Sequence, residues 1–598
     1  MGLDKSIELG GLFPQAVTSR GMSVDTLDKI PPKTENHASF DELLGEKVPP
    51  AWTLLTEQVE KGHALLFESA EAAEKALGGK VHPAPLGNVT KLNPDGKRKN
   101  RLIQDLRANL VNTAVELPER QVLPRGIDHG RDLAVLSSAR RPGEDVHTMI
   151  LDFKDAFMSV PLASVERRFN CANTGFDLQR TRPPLYEDEP VSGRFVVWRV
   201  LGFGGKPNPL VFSRGASFAS RTAQALLGPL DRREREDDRS CDGVAPGRVQ
   251  LYVDDPAVAV IGDLAQANLS FDLIIMWWLA LGIPLSWKKG ESFDGATPHR
   301  WIGIMYHIVD EGAIMRLPPA FLQDLAELLA PLCRRTGTVG IQELEVAVGK
   351  AARVAHVVPS AKPFVAGLWG GLGAAKAARN AGVREAPPNQ VACRRVCFSA
   401  SWLRALILDD QNQILPLERM VTPSPPASRN LSGWSIEFDA SPFGGGAVLK
   451  DTNGSITEYF STVWTGSEAE HLHVVSGDPA FQTFWEFATL LLSLIVWGGY
   501  FSEEAVLILG DNIGALSNAL ALKGRGILLN VAREIAWRQA RRGWRFSVGH
   551  LPSEFNVVAD ALSRWADPKE HIWPTKALAG AQQVSAPKLQ DVWKARPL

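Results

Sequence analysis

Val249 to Val253 is a short apolar run that ends in two adjacent carboxylates, Asp254 and Asp255, and a second apolar run, Ala257 to Ile261, follows at once. That pattern predicts strand, tight turn, strand, with the acids at the tip. Like charges side by side repel each other and resist burial. A hairpin carries such a pair at its tip only where water or a divalent cation lies opposite. A solvated turn fits the pattern too, because Asp is a common turn residue. The two readings part on whether the rest of the chain supplies further ligands.

At 598 residues the chain is too long for one core, and about three to five folding units are expected. The net charge is only -2, so a nucleic-acid surface would have to come from local basic clusters. Cys393 and Cys397 lack a second pair at zinc-finger spacing, and the other three cysteines are scattered. This argues against a zinc site and a disulfide framework, and for a reducing compartment. No basic segment followed by an apolar core opens the chain, so no secretory signal is expected. The longest apolar stretch, Phe487 to Trp497, is interrupted by Thr489 and Ser493 and reads as a buried helix rather than a membrane span. An intracellular location follows, in cytoplasm, nucleus or both.

Residues 1–40 lack periodicity and are expected to be loosely ordered. From Phe40 to Leu77 the apolar spacing is helical, Leu65 and Leu66 included. Asn93-Pro94-Asp95-Gly96 is a turn signal. Lys91, Lys97, Arg98, Lys99, Arg101 and Arg107 place six cations in seventeen residues around it. A solvated hairpin, a nuclear localisation signal and a phosphate-binding finger all fit. Thr148 to Leu151 is an apolar strand that delivers Asp152 at its end, and Asp155 reads as the start of a helix. A carboxylate there, beside free backbone N–H groups, suits a metal-bound phosphate; Asp155 as a simple N-cap and Asp152 as a loop residue also fit the pattern.

Residues 177–199, polar and Pro-rich, read as an insertion or long loop, and Leu201 to Pro209 as a Gly/Pro-rich turn in which Gly204 lets backbone approach a planar ligand. A helix ending at Gly282 follows the hairpin. Residues 318–404 are mainly helical, and Thr422 to Ser428 is a linker. Beyond it, Asp439 and Asp511 end apolar strands, and Glu486 sits in a helix beginning near Phe481. His550 and Asn556 precede Asp560 on a last helix. Alternating strands and helices make this an α/β module.

Taken in order, these motifs resemble a reverse transcriptase. Asp152 and the Asp254/Asp255 pair resemble its palm, and the basic strand through Arg101 and Asp105 its fingers. Leu201 to Phe212 resembles its Gly-Pro motif, and Gly282 to Lys288 with Trp301 to Ile304 its later palm and primer-grip motifs. Asp439, Glu486, Asp511, His550, Asn556 and Asp560 resemble the acids and loop histidine of ribonuclease H. The layout is similar to that of long-terminal-repeat and DIRS-like retroelements. Gly202 and Asn208 depart from the usual residues of the Gly-Pro motif. No protease, integrase, recombinase or zinc knuckle is visible, so the chain reads as a polymerase module or a fragment of a larger element.

The resemblance implies an α+β right-hand polymerase (fingers, palm, thumb), then a helical connection and an α/β ribonuclease H-like domain. The expected boundaries are 41–317 for fingers and palm, 318–410 for thumb and connection, 411–432 for a linker, 433–568 for the ribonuclease H-like domain and 569–598 for a tail. It implies Mg²⁺, two per active site and replaceable by Mn²⁺, held by Asp152, Asp254 and Asp255 with Phe153, and by Asp439, Glu486, Asp511 and Asp560. Arg101 and Lys97 would clamp a deoxynucleoside triphosphate, and the backbone N–H groups of Phe153 and Lys154 would cradle it. Phe157 would exclude a ribose 2′-hydroxyl. Phe203 and Gly204 would meet the template and incoming base, Lys288 the leaving pyrophosphate, and His550 would shuttle protons. The implied partners are an RNA template, a DNA primer and their hybrid, without a membrane. Lys523, Arg525, Arg533, Arg538, Arg541, Arg542 and Arg545 would track a duplex, or form a solvated helix face. Two rivals remain: an RNA-dependent RNA polymerase, and a domesticated or decayed copy that binds nucleic acid without catalysis.

Overall fold

The computed structural model describes residues 23–31, 35–42, 50–92, 98–117, 121–181, 190–228, 244–295, 297–380, 382, 386–409, 416–423, 431–475, 478–501, 504–567, 569 and 572–593. Lys97 and Ser424 to Ser428 lie outside the described residues. The chain divides into two compact units, Met1–Asp132 with Ala139–Thr297, and Leu133–Ser138 with Pro298–Leu598.

The first unit is built around the carboxylate hairpin. Strands Gly247–Tyr252, Asp255–Gly262, Asp145–Ile150 and Glu291–Phe293 form one antiparallel sheet in that order. Along Gly247–Tyr252, Val249 and Leu251 are buried and their neighbours are not, the alternation of a strand with one covered face. Asp255–Gly262 lies between two partners and is buried from Pro256 onward. Helices Asn208–Gln224 and Leu264–Ala280 cover the sheet through Phe212, Ala219, Phe271, Ile274 and Trp278. A capping box between Asp263 and Gln266 starts the second helix, and Gly282 at φ 77° follows its end.

Two expectations for this unit change. Leu65 and Leu66 belong to the strand Ala64–Phe67, set off from helix Pro50–Glu60 by Gly62 at φ 73°. Residues 177–199 are not one long loop. Ser192–Trp198 is the central strand of a sheet between Ala64–Phe67 and Cys171–Gln179. Phe195, Val196, Val197 and Trp198 are all buried there, and this apolar run outweighs the polar residues before it. Leu86–Leu92 and Arg98–Gln104 pair as an antiparallel hairpin with Val89 opposite Arg101.

The second unit opens with a four-stranded antiparallel sheet, His299–Trp301, Ile304–Val309, Gly312–Arg316 and Glu418–Val421. Its last strand falls inside the expected linker. Helices Pro319–Leu329, Ile341–Val357, Lys362–Asn380 and Cys397–Ile407 come between. A six-stranded mixed sheet follows, in the order Phe546–His550, Ala505–Gly510, Leu431–Ala440, Gly444–Lys450, Ile456–Val463, Gln582–Gln583. Helix Gln482–Trp497 packs on the face showing Ile436, Phe438, Ala447 and Leu449, and Leu562 of helix Val557–Ser563 meets Val448 on the opposite face. The helical run Pro479–Tyr500 is 22 residues and is long and apolar enough to cross a bilayer. Its Phe484, Leu491 and Trp497 nevertheless lie in the core of this sheet.

The expected tail is part of the fold. Gln582–Gln583 is the edge strand, and Leu589 and Val592 are buried in the same core. Arg538 donates to the Val592 carbonyl at 2.6 Å, and the Leu589 N–H to the buried Glu468 at 2.7 Å. The four helices join the mixed sheet through aromatic and arginine contacts. Phe364 stacks on Trp402 at 3.6 Å, Trp402 meets Trp537 edge-on at 6.3 Å, and Arg533 donates to Ser399 Oγ at 3.0 Å while lying 5.1 Å from the Phe398 ring.

Candidate active sites

Asp152 reaches the hairpin tip by strand register. Ile150 pairs with Ala257, the Leu151 N–H bonds the Pro256 carbonyl at 3.1 Å and the Phe153 N–H the Asp254 carbonyl at 2.9 Å. Asp152 therefore projects between two rungs beside Asp254 and Asp255. On its other side the Ser286 N–H bonds the Asp152 carbonyl and the Lys154 N–H the Pro284 carbonyl, each at 2.8 Å. Tyr252 pairs with Asp255, so Val253 and Asp254 are the whole turn. Val253 stands at φ 58°, a conformation that costs a β-branched residue about 1–3 kcal/mol and that clusters at functional sites.

The three acids line one cleft of about 660 Å³ with Arg101, Phe157 and Lys289. Burial, then the neighbouring carboxylates, push Asp255 up to about 6. Burial chiefly raises Asp254, with Asp152 adding to it and Lys289 and Arg101 opposing. Lys289 Nζ sits 2.6 Å from Asp152 Oδ1. Half-buried carboxylates that oppose one another's ionisation fit a divalent ion with hard oxygen ligands. Phe157 is held edge-on by Phe203 at 5.7 Å and by Phe212 at 5.5 Å, and the Arg101 guanidinium lies 5.9 Å from the Phe203 ring centre.

Several sequence assignments shift at this cleft. The N–H groups of Phe153 and Lys154 are spent on strand rungs, so they cannot cradle a phosphate. The next two, of Asp155 and Ala156, find no hydrogen-bond partner among the described residues. The Phe153 ring is buried edge-to-face on Trp278, leaving only its carbonyl oxygen for an ion. Asp155 occupies the N-cap position of the 3₁₀ turn Ala156–Ser159 but makes no capping bond: it stands at φ 51°, its carboxylate 3.3 Å from Lys61 Nζ. Lys289 rather than Lys288 faces the acids, because a 3₁₀ turn over Trp287–Lys289 sends successive side chains about 120° apart. Gly204, at φ 124°, is needed for a close protein contact. A Cβ there would lie 1.9 Å from the Gln104 carbonyl, and Phe203 accepts from the Gln104 N–H at 2.9 Å.

In the second unit, Asp439, Glu486 and Asp511 bring carboxylate oxygens within 4.8 Å of one another. Glu437 pairs with Leu509 in parallel, so Asp439 and Asp511, two residues on along each strand, emerge side by side. Helix Gln482–Trp497 lowers Glu486 onto them from its first turns. Glu486 Oε1 accepts from Gln482 at 3.0 Å, while the buried Oε2 has no hydrogen-bond partner. Burial, then Asp439 and Asp511, raise Glu486 well above the usual carboxylate range. Burial, then Asp560 and Asp511, push Asp439 up to about 7, against the lowering effect of the Ser563 hydroxyl 2.6 Å away. An orphaned buried carboxylate oxygen among repelling neighbours, with oxygen donors throughout, fits a hard divalent cation.

Asp560 stands apart from this triad, its Oδ1 accepting from Arg564 at 2.6 Å. Exposed His550 ends its strand opposite Gly510, beside Asp511, and Ser553 Oγ donates to Asp511 at 2.8 Å. Asn556 is buried and ties its helix to the Phe438 carbonyl at 2.9 Å. Nothing in the spacing of Ser553, Ser563 or Gln482 singles them out in the sequence. The basic run divides. Arg533 and Arg538 are buried in protein contacts, whereas Lys523, Arg525, Arg541, Arg542 and Arg545 are exposed.

No family model matches the chain, and no curated protein matches it. Among solved structures, a foamy viral protease-reverse transcriptase dRH in complex with ds DNA is similar at TM-score 0.41 and 15% identity, over 90% of this chain and 76% of that one. A Prototype Foamy Virus protease-reverse transcriptase CSH mutant is similar at TM-score 0.30 and 13% identity, over 91% of this chain and 58% of that one.

Proposed function

We propose that the chain is an RNA-directed DNA polymerase with a right-hand fold, joined to a ribonuclease H that degrades the RNA of the hybrid. The observation that carries this reading is the meeting of Asp152, Asp254 and Asp255 in one cleft that also holds Arg101 and Phe157. Magnesium held by these acids, and by Asp439, Glu486 and Asp511 with Asp560 at the margin, would activate the attacking oxygen and stabilise the leaving one. Asp152 and Asp254 are the principal ligands of the first site, and Asp255 supports their geometry. Arg101 binds the triphosphate, whose anionic oxygens also meet the N–H groups of Asp155 and Ala156. Phe157, fixed edge-on by two rings, fills the space a 2′-hydroxyl needs and so selects deoxynucleotides. In the second site His550 exchanges protons with solvent as product leaves. The exposed Lys523, Arg525, Arg541, Arg542 and Arg545 follow the duplex backbone.

Primer extension on an RNA template with Mg²⁺, parent against Asp254→Asn, tests the first site. Extension lost in the variant supports it, and no extension by the parent favours nucleic-acid binding without catalysis. Cleavage of an RNA–DNA hybrid by the parent and by Asp511→Asn tests the second site. Cleavage that survives this change removes Asp511 from the role.

A further inference from the structure

Lys61 lies on the turn that ends helix Pro50–Glu60, remote in sequence from every motif described above. The fold nevertheless carries it to the rim of the carboxylate cleft, which it lines with Glu57 and Gln58 from the same helix. Its Nζ lies 3.3 Å from Asp155 Oδ2, and the two side chains are 41% and 38% exposed. Asp155 sits at φ 51°, and its N–H and that of Ala156 are without partners among the described residues. Two free backbone donors and an ammonium group thus flank one end of the cleft. Lys99, Arg101, Lys154 and Lys289 line the same cleft, where Lys289 is set against Asp152 and the Arg101 guanidinium lies 5.9 Å from the Phe203 ring centre.

We infer that Lys61 is a substrate-binding residue that takes the terminal phosphate of the incoming nucleoside triphosphate, and that Asp155 holds the ammonium in place until the substrate arrives. This rests on the polymerase reading of the same cleft. An exposed ion pair contributes about 0–1 kcal/mol to a fold, so fastening the turn is a weak reason for a lysine here. A phosphate carries more charge than a carboxylate and draws the same ammonium without moving the helix. Asp155 then turns to solvent, and the N–H groups of Asp155 and Ala156 keep their hold on the adjoining phosphate.

The test compares the parent, Lys61→Met and Lys61→Arg in the full chain. The readouts are KM for deoxynucleotide, KM for primer–template, kcat and thermal midpoint, with calorimetric binding of dTTP and dTDP alongside. Lys61→Met should raise the KM for deoxynucleotide about 10- to 100-fold, with the other parameters unchanged, and should erase the preference for dTTP over dTDP. Lys61→Arg should keep most of both. An unchanged KM, or equal losses for nucleotide and primer–template with a lowered midpoint, overturns the assignment. If the parent extends no primer yet binds dTTP in a Lys61-dependent way, the polymerase reading fails and the phosphate site stands. If the parent binds no dTTP, both fail.

Discussion

Asp439→Asn should stabilise the metal-free protein, although it removes a residue central to the proposed ribonuclease site. Asp439 is 4% exposed, has carboxylate oxygens of Asp511 and Glu486 within 4.8 Å, and is raised by Asp560 as well. Its rise from 3.8 to about 7 on folding means that the native state binds a proton the unfolded chain has already lost between those values. Stability therefore grows as pH falls from about 7 toward 4 and is lowest above 7. At about 1.4 kcal/mol per pH unit the rise sets an upper limit of about 4 kcal/mol at pH 8. Asp560, Asp511 and Glu486 share the strain, so about 1–3 kcal/mol should be recovered. The amide keeps an oxygen for the Ser563 hydroxyl and presents its NH₂ to the carboxylates, so no bond is lost. Urea unfolding at pH 8 in EDTA, followed by the fluorescence of the buried Trp464, Trp485 and Trp497, reads the change. At pH 5 the gain should fall to about 40% of its value at pH 8, and it should vanish below about pH 4. In saturating Mg²⁺ the sign should reverse, because the parent gains ligand stabilisation that the variant lacks. A neutral or destabilising effect at pH 8 without metal, or a gain untouched by Mg²⁺, would refute the repulsion account.

Phe157→Ala should raise ribonucleotide incorporation relative to deoxynucleotide about 10- to 100-fold, read as the ratio of the two kcat/KM values. With Asp255 pushed up to about 6, a proton competes with Mg²⁺ below that value. The Mg²⁺ needed for half-maximal extension should rise about 4-fold between pH 7.5 and 5.5, and a flat profile counts against Asp255 as a ligand. Lys289→Ala should impair extension while Lys288→Ala leaves it near parental, since only Lys289 meets Asp152. Gly204→Ala should destabilise the fold by about 2–5 kcal/mol, because a methyl cannot share space with the Gln104 carbonyl. Gly215→Ala, in an open helical position, should stabilise it by about 0.5–1 kcal/mol, both measured by urea unfolding.

The strand ends were legible in the sequence because each is an apolar run stopped by an acid, and Asp152, Asp254, Asp439 and Asp511 all sit at such ends. Helix Leu264–Ala280 was legible for a similar reason, its termination marked by Gly282. Lys289 was not, since two adjacent lysines differ only in which way a short 3₁₀ turn aims them. The engagement of the Phe153 and Lys154 N–H groups was not legible either, since free N–H groups cannot be counted until their partners Asp254 and Pro284 are known. Ser192–Trp198 was hidden because a strand central to its sheet carries no alternation, and its four apolar residues followed a polar, Pro-containing stretch. Arg533 and Arg538 looked like their exposed neighbours because charge alone does not reveal burial.

The Arg533 contact bears on how this protein can be cut. The proline-rich stretch at 422–428 invites a truncation that would release residues 431–593 by themselves. Such a fragment would carry Arg533 without Ser399 and the Phe398 ring, and Trp537 without Trp402. An uncovered tryptophan and an arginine stripped of its aromatic bed form a sticky scar of the kind that drives association. Ending the fragment at 568 would add a second scar, because Glu468 and Arg538 would lose their backbone partners near Leu589 and Val592. Expression of soluble pieces should therefore succeed when residues 319–407 travel with 431–593, and fail when the boundary follows the prolines.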